Sequence, residues 1–417
     1  MKDRRIFHGD FVYSKSFDRL VEYIGGYLVV TDGVIEGLFD RLPDEYDGLT
    51  IEDFSGVMIP AFSDLHVHAP QYPNRGIFTD ALLYDWLQKY TFPLEARYAD
   101  PTFARAVYDA FVDDLLRHGT MHAVVFGTIH EQSTGYLLER LEEAGIDAYV
   151  GKVNMDTDSP ESLLETVDGS LLATESFLDR YSSQNHAKPI LTPRFAPTCS
   201  QRLLTGLGKL AEKYGVGVQT HLVESKWEAK ESVRRHPYAS CDTEIYERAG
   251  LLGHGPFVGA HFIFPSDKDV RILKKYDGYA VQCPDATTNV IAGIMPSDSL
   301  ADRGVRLALG SDVSAGQSLA IYRQAASSVR LSKIKSFYEP DARVIPFSQA
   351  FFAATKGGGS LFGKVGSLEK GYSFDALVLD GLSDPFLSLT PAQTVERFCY
   401  AGDATNIRAR YLRGKKI

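Results

Sequence analysis

Residues 59–76 read IPAFSDLHVHAPQYPNRG, an apolar run that ends in two histidines one residue apart. Side chains of an extended strand alternate between faces, so Asp64, His66 and His68 share one face. Two imidazoles converging at a strand end make half of a metal site. A lone H-x-H is as readily a surface pair or two hydrogen-bonded core histidines, so its meaning depends on partners further along the chain.

The same pattern of apolar runs recurs downstream. Candidate strands are VMIPAFSDLH (57–66), MHAVVFGT (121–128), AYVGKVNM (148–155), KPILTPRF (188–195), VGVQTHL (216–222), PFVGAHF (256–262), GYAVQCP (278–284) and GVRLALGSD (304–312). Between them lie stretches such as DPTFARAVYDAFVDDLLRHG (100–119) and QRLLTGLGKLAEKYG (201–215), with apolar residues at helical spacing and a closing Gly. Strand-helix repeats without a hairpin signal predict an α/β fold, a closed (β/α)8 barrel over residues 59–364, an open doubly wound sheet being the alternative. Neither G-x-G-x-x-G after the first strand nor a P-loop pattern occurs, and KGGGS (356–360) suits a turn. The two ends read differently. VEYIGGYLVVTDGVIEGLFD (21–40), GSLEKGYSFDALVLDG (366–381) and VERFCYAGDATNIRARYLRGKKI (395–417) read as short strands between Gly-containing turns. They predict a small β-sandwich domain composed of residues 1–58 and 365–417.

The chain has 417 residues, 44% hydrophobic and 24% charged, with a formal net charge of -10. That length accommodates a barrel with an appended domain. The negative charge argues against a nucleic-acid surface and for a small-molecule partner. The start, MKDRRIFHGDF, lacks the apolar core of a signal peptide, and no stretch approaches bilayer length, so the expectation is a cytosolic protein without membrane contact. Cys199, Cys241, Cys283 and Cys399 are widely separated and indicate neither a disulfide framework nor a thiolate zinc site. Any metal must be held by histidine and carboxylate.

Barrel active sites gather at the C-terminal ends of the strands. There the first strand has His66 and His68, the fourth Arg194, the fifth His221, the sixth His261 and the eighth Asp312. Four histidines and an aspartate at equivalent strand ends would face one cavity. His122 and His254 read as core histidines, while His8, His118, His186 and His236 fall in loops or on helices.

The order H-x-H, HLVE (221–224), GAHF (259–262) and LGSD (309–312) resembles the amidohydrolase superfamily, and GKVGSLEKGYSFDALVLD (363–380) resembles its closing segment. Within it, HAPQYPNRG (68–76), LLYDWLQKYTFPLE (82–95), FGTIH (126–130), VGKVNMD (150–156) and LTPRF (191–195) closely resemble the guanine deaminases. The resemblance implies hydrolytic deamination of guanine to xanthine and ammonia, in a homodimer. It also implies one zinc ion per chain on His66, His68, His221 and Asp312, with iron or manganese compatible with the same donors. Such an ion lowers the pKa of bound water from about 15.7 to roughly 7. Dinuclear relatives place a carboxylated Lys on the fourth strand, where this chain has Arg194, and Lys152 on the third strand is read as structural. By the same resemblance Glu224 is the proton shuttle, its alternative being an acid that complements a helix dipole. His261 would bond the attacking water or the nascent oxyanion, and Asp312 would relay a proton to departing ammonia.

On the substrate side, the Arg194 guanidinium could grip the carbonyl oxygen and adjacent ring nitrogen of guanine, a reading favoured over a salt bridge at the barrel rim. Gln71 could read another edge. Phe195 is a candidate wall, whereas Trp86, at helical spacing, belongs to the core. Two positions depart from the family pattern. QCPDATTN (282–289) stands where relatives usually read C-P-x-S-N, and PAFSD has Ala61 where Gly is commoner. The first leaves another aminopurine, a pterin or an aminotriazine open as substrate. A non-enzymatic scaffold would show gaps in the ligand set, and none occur.

Overall fold

The first predicted strand divides at Ala61. Residues Ile51–Pro60 pair with strands from the chain ends, whereas Phe62–His68 (β1) enters a parallel sheet. Ala61 is fully buried at the switch and donates its N–H to Asp375 O at 2.9 Å. The protein is described by a computed structural model over residues 3–77, 80–81 and 83–417. Met1, Lys2, Phe78, Thr79 and Leu82, the last of these the first residue of LLYDWLQKYTFPLE, lie outside the described residues.

β1 is followed by helix α1 (Pro101–Arg117), β2 (Thr120–Phe126), α2 (Glu131–Ala144), β3 (Asp147–Gly151), α3 (Val167–Tyr181), β4 (Ala187–Pro189) and α4 (Gln201–Tyr214). The second half continues with β5 (Val218–Leu222), α5 (Lys226–Arg235), α6 (Asp242–Arg248), β6 (Phe257–His261), α7 (Asp267–Lys275), β7 (Tyr279–Gln282), α8 (Ser297–Asp302), β8 (Arg306–Leu309) and α9 (Ile321–Tyr338). Strands β1 to β4 pair in parallel, as do β5 to β8. A parallel bridge between Leu191 and Val218 joins the two halves on one side. On the other, Asp312 N–H reaches His66 O at 2.8 Å and His68 N–H reaches Val313 O at 3.2 Å. The barrel is closed.

Local chemistry starts and stops these elements as the sequence leads one to expect. Asp100 caps α1 by accepting from Thr102 N–H at 2.8 Å, with Pro101 in the first turn, and Ala104, Tyr108, Phe111, Val112 and Leu115 form its buried stripe. Ser200 caps α4, which ends at Gly215 with φ 62°, a left-handed conformation that favours glycine. Every residue of β1 and β2 is buried, as parallel strands covered on both faces must be.

The chain ends form one seven-stranded sheet, ordered 415–416, 407–412, 376–379, 51–60, 4–16, 19–31 and 34–39. One pairing in it is parallel, Arg4–Ser16 with Ile51–Pro60. VERFCYA, expected as strand, is instead the end of a helix over Pro391–Ala401. Its Val395, Phe398 and Cys399 are buried against barrel residues such as Phe62 and Tyr322. Thr390 and Gln393 make a capping box there, a local signal that outweighs the β propensity of Val and Phe. Among the described residues no helix is long and apolar enough to cross a membrane.

Asp375 joins sheet to barrel. Fully buried, it lies 3.4 Å from His122 Nε2 on β2 and accepts Arg413 N–H at 2.7 Å, while His122 Nδ1 is 3.2 Å from Ser63 Oγ on β1. Burial pushes the Asp375 carboxyl up, but His122 and the N–H donor outweigh it and hold it below the ordinary value. Its stabilisation is therefore present above the unfolded pKa of about 3.9 and lost as pH falls through the lower folded value. Asp375→Ala should cost about 3 to 5 kcal/mol at neutral pH, and less at pH values where the parent carboxyl is protonated. Thermal unfolding across the acid range checks both statements.

Candidate active site

His66 and His68 end β1, His221 lies near the end of β5, His261 ends β6, and Asp312 follows β8. His66 Nε2 and His68 Nε2 lie 3.2 and 3.5 Å from Asp312 Oδ1. His68 Nε2 and His221 Nε2 face each other at 3.1 Å. His221 Nδ1 is 2.6 Å from Arg194 O, to which only an N–H can bond, so His221 Nε2 carries the lone pair. The sets His66, His221, His261 and His66, His68, Asp312 each present donor atoms within 4.8 Å of one another.

These donors fit a divalent cation. His66 Nε2 and both ring nitrogens of His261 are buried without a hydrogen-bond partner. A buried polar atom left so costs roughly 1–3 kcal/mol. Burial, with neighbouring imidazoles and Arg194 adding to it, pushes His66, His68 and His221 well below the ordinary histidine range. They are therefore neutral, the form that ligates metal.

The backbone is bent at these strand ends. Val223, His261, Phe262 and Asp312 have φ of 43°, 72°, 46° and 46°. Such conformations cost of order 1–3 kcal/mol each in non-glycine residues. Fully buried Asp64 holds part of this geometry, accepting N–H from His66 at 3.2 Å and Ser311 at 3.0 Å and the Ser311 hydroxyl as well. Gly310 permits the close approach of β8 to β1: a Cβ there would lie 2.8 Å from His66 Cβ and 3.0 Å from His66 O.

Glu224 Oε1 and Asp312 Oδ2 each lie 3.8 Å from His261 Nε2. Burial raises the Glu224 carboxyl, with Asp312 adding and His261 and Arg194 opposing. Asp312 is likewise pushed up to about 6 by burial. Glu224 precedes the Ser225 cap of α5 and so lies outside the helix, and Glu228 is the acid of its first turn. The loop is held from behind: Glu224 N–H donates to Glu228 Oε2 at 2.9 Å and Val223 N–H to Asp242 Oδ2 at 3.1 Å. Both supporting carboxyls are buried and raised, Glu228 by burial and the nearby Asp242, and Asp242 to about 7 by burial and the nearby Asp269. Nothing in the H-x-H reading pointed to them; the S-x-x-E spacing of Ser225 and Glu228 is the one local signal.

Arg194 is paired. Its Nη1 and Nη2 donate to Glu95 Oε2 at 2.7 Å and Oε1 at 3.1 Å. The salt bridge disfavoured from sequence therefore exists, with a partner that sequence reasoning missed although it lies in LLYDWLQKYTFPLE. Gln71 Nε2 donates to the same carboxylate at 2.9 Å. Phe195 is half-buried, its ring 6.4 Å from that of His221. Trp86 is core, as expected. Lys152 is buried and donates to both Glu165 oxygens at 2.7 and 2.8 Å, a structural pairing. His254 is half-buried in a loop rather than in the core. The unusual QCPDATTN forms a short helix over Pro284–Asn289, where Asp285 Oδ2 accepts from Gln317 at 2.7 Å and Gln324 at 2.9 Å.

A closed α/β barrel with histidine and aspartate donors at its strand ends defines a class, and residues 57–417 match the Amidohydrolase family, to which this chain belongs. The guanine deaminase of Dictyostelium discoideum is 33% identical over 374 residues, covering 86% of this chain and 82% of that protein. The guanine deaminase of Escherichia coli is 28% identical, with 94% and 91% covered. A crystal structure of guanine deaminase from C. acetobutylicum with guanine bound in the active site superposes with a TM-score of 0.96 over 100% of both chains, at 39% identity.

Zinc added to chelator-treated protein at about 100 times its Kd should raise the unfolding free energy by about 2.7 kcal/mol. His68→Ala should lose most of that rise. Unfolding curves with and without zinc check it.

Proposed function

We propose that this protein hydrolyses guanine to xanthine and ammonia, acting at the exocyclic amine of the ring. The observation that carries the reading is the placement of two raised carboxyls, Glu224 and Asp312, each 3.8 Å from His261 beside the donor cluster. Kinship with guanine deaminases along nearly the whole chain supplies the substrate. His66, His68, His221 and Asp312 would hold one zinc ion, the choice that three imidazoles and a carboxylate favour. Such an ion supplies acidified water at neutral pH.

Glu224 Oε1 takes a proton from the attacking water and delivers it to the ring nitrogen beside C2. A carboxyl raised by burial suits both halves of that transfer. His261 Nε2, between the two carboxyls, bonds the oxygen as it adds to C2. Asp312 Oδ2 accepts the second water proton and passes it to the leaving amine, so water contributes the new carbonyl oxygen and ammonia departs. Arg194 and Gln71 orient the oxopurine, with Phe195 against its ring. The reading retains the homodimer and the cytosolic setting expected from the sequence.

Glu224→Gln should keep its zinc while guanine turnover falls by about 10² to 10⁴. Xanthine and ammonia release, with elemental analysis, check this. A panel of aminopurines, aminopterins and aminotriazines should show guanine preferred.

A further inference from the structure

Two of the side chains assigned to the substrate, Arg194 and Gln71, meet on one carboxylate. Glu95 is 2% exposed and sits on the short helix Phe92–Ala96, which packs the Phe92 ring 5.1 Å from the Arg194 guanidinium. Both Arg194 Nη atoms and Gln71 Nε2 donate to it. Gln71 Oε1 accepts Ser314 N–H at 3.3 Å. Because a carboxylate only accepts and a backbone N–H only donates, these two bonds settle which way the Gln71 amide points. The same Arg194 whose side chain is clamped holds His221 Nδ1 through its carbonyl, so donor cluster and guanidinium belong to one rigid unit.

We infer that Glu95 is a positioning residue for recognition of the 6-oxo edge of a purine, acting through Arg194 and Gln71. The inference rests on the proposed deaminase reading and deepens it. A guanidinium carries five N–H groups, and the bidentate pair with Glu95 uses two, leaving three on a plane that can no longer rotate. An unpaired arginine would instead disperse over several rotamers. Ring oxygen and adjacent nitrogen need donors and acceptors at set positions, which a clamped Arg194 and an oriented Gln71 provide. A salt bridge that merely anchored Phe92–Ala96 would have no reason to engage the Gln71 amide as well.

Calorimetry on the zinc-loaded protein with hypoxanthine, which has the 6-oxygen, and purine, which lacks it, tests the inference. Glu95→Gln should weaken hypoxanthine by roughly thirtyfold to a hundredfold and purine by less than about threefold. In a background carrying both Arg194→Ala and Gln71→Ala the same substitution should weaken hypoxanthine by less than about threefold, since both partners it acts through are gone. Glu95→Asp, which keeps the charge but shortens the reach, should fall between parent and Glu95→Gln, and it carries the comparison if Glu95→Gln does not fold. Equal weakening of both ligands, or no weakening of either, would overturn the inference. Guanine turnover of the parent is measured in parallel: its absence removes the deaminase reading, whereas an active parent with unselective variants removes only the role of Glu95.

Discussion

Buried imidazole nitrogens converging on one carboxylate are the constraint on which this structure turns. His68 Nε2 and His221 Nε2 stand 3.1 Å apart, and the Arg194 carbonyl forces the lone pair of His221 toward His68. With Asp312 Oδ1 within 3.5 Å of both His66 and His68, a positive charge between these atoms is the arrangement that satisfies all of them. Closure of the barrel makes this possible, because strands β1, β5, β6 and β8 deliver their ends to one place only when the ring is complete.

Holding that arrangement requires backbone that non-glycine residues avoid, and buried carboxylates stabilise it. Asp64 binds the N–H groups of His66 and Ser311, and Glu228 and Asp242 bind those of Glu224 and Val223. Each of these buried acceptors lies where a strand end bends into its loop. They give partners to backbone N–H groups that would otherwise be buried without one, which is how such bends at Val223 and Asp312 persist. The same burial raises Glu224 and Asp312, so the support of the loops and the tuning of the candidate acids have one cause.

Arg194 shows how a residue can be placed by sequence and still be misjudged in its contacts. Its strand-end position was legible, and it does lie beside the donor cluster. Its pairing with Glu95 was not legible, because the two are 99 residues apart and the pairing depends on where the segment after β1 folds back. The QCPDATTN departure resolves in the same way. In sequence it stood only as a departure from the family pattern, whereas in three dimensions two glutamines, one from α9, donate to its Asp285.

Periodicity and punctuation along the chain were enough to determine the parallel strands, the main helices with their caps, and the set of polar residues at the strand ends. These depend on local spacing, which a one-dimensional pattern records. The division of the first strand at Ala61, the parallel pairing of Arg4–Ser16 with Ile51–Pro60 and the clamp of Glu95 on Arg194 and Gln71 were decided only by tertiary structure. Each of these depends on which distant surface a segment buries against. That choice is set by contact between residues remote in the chain, and local spacing carries no record of it.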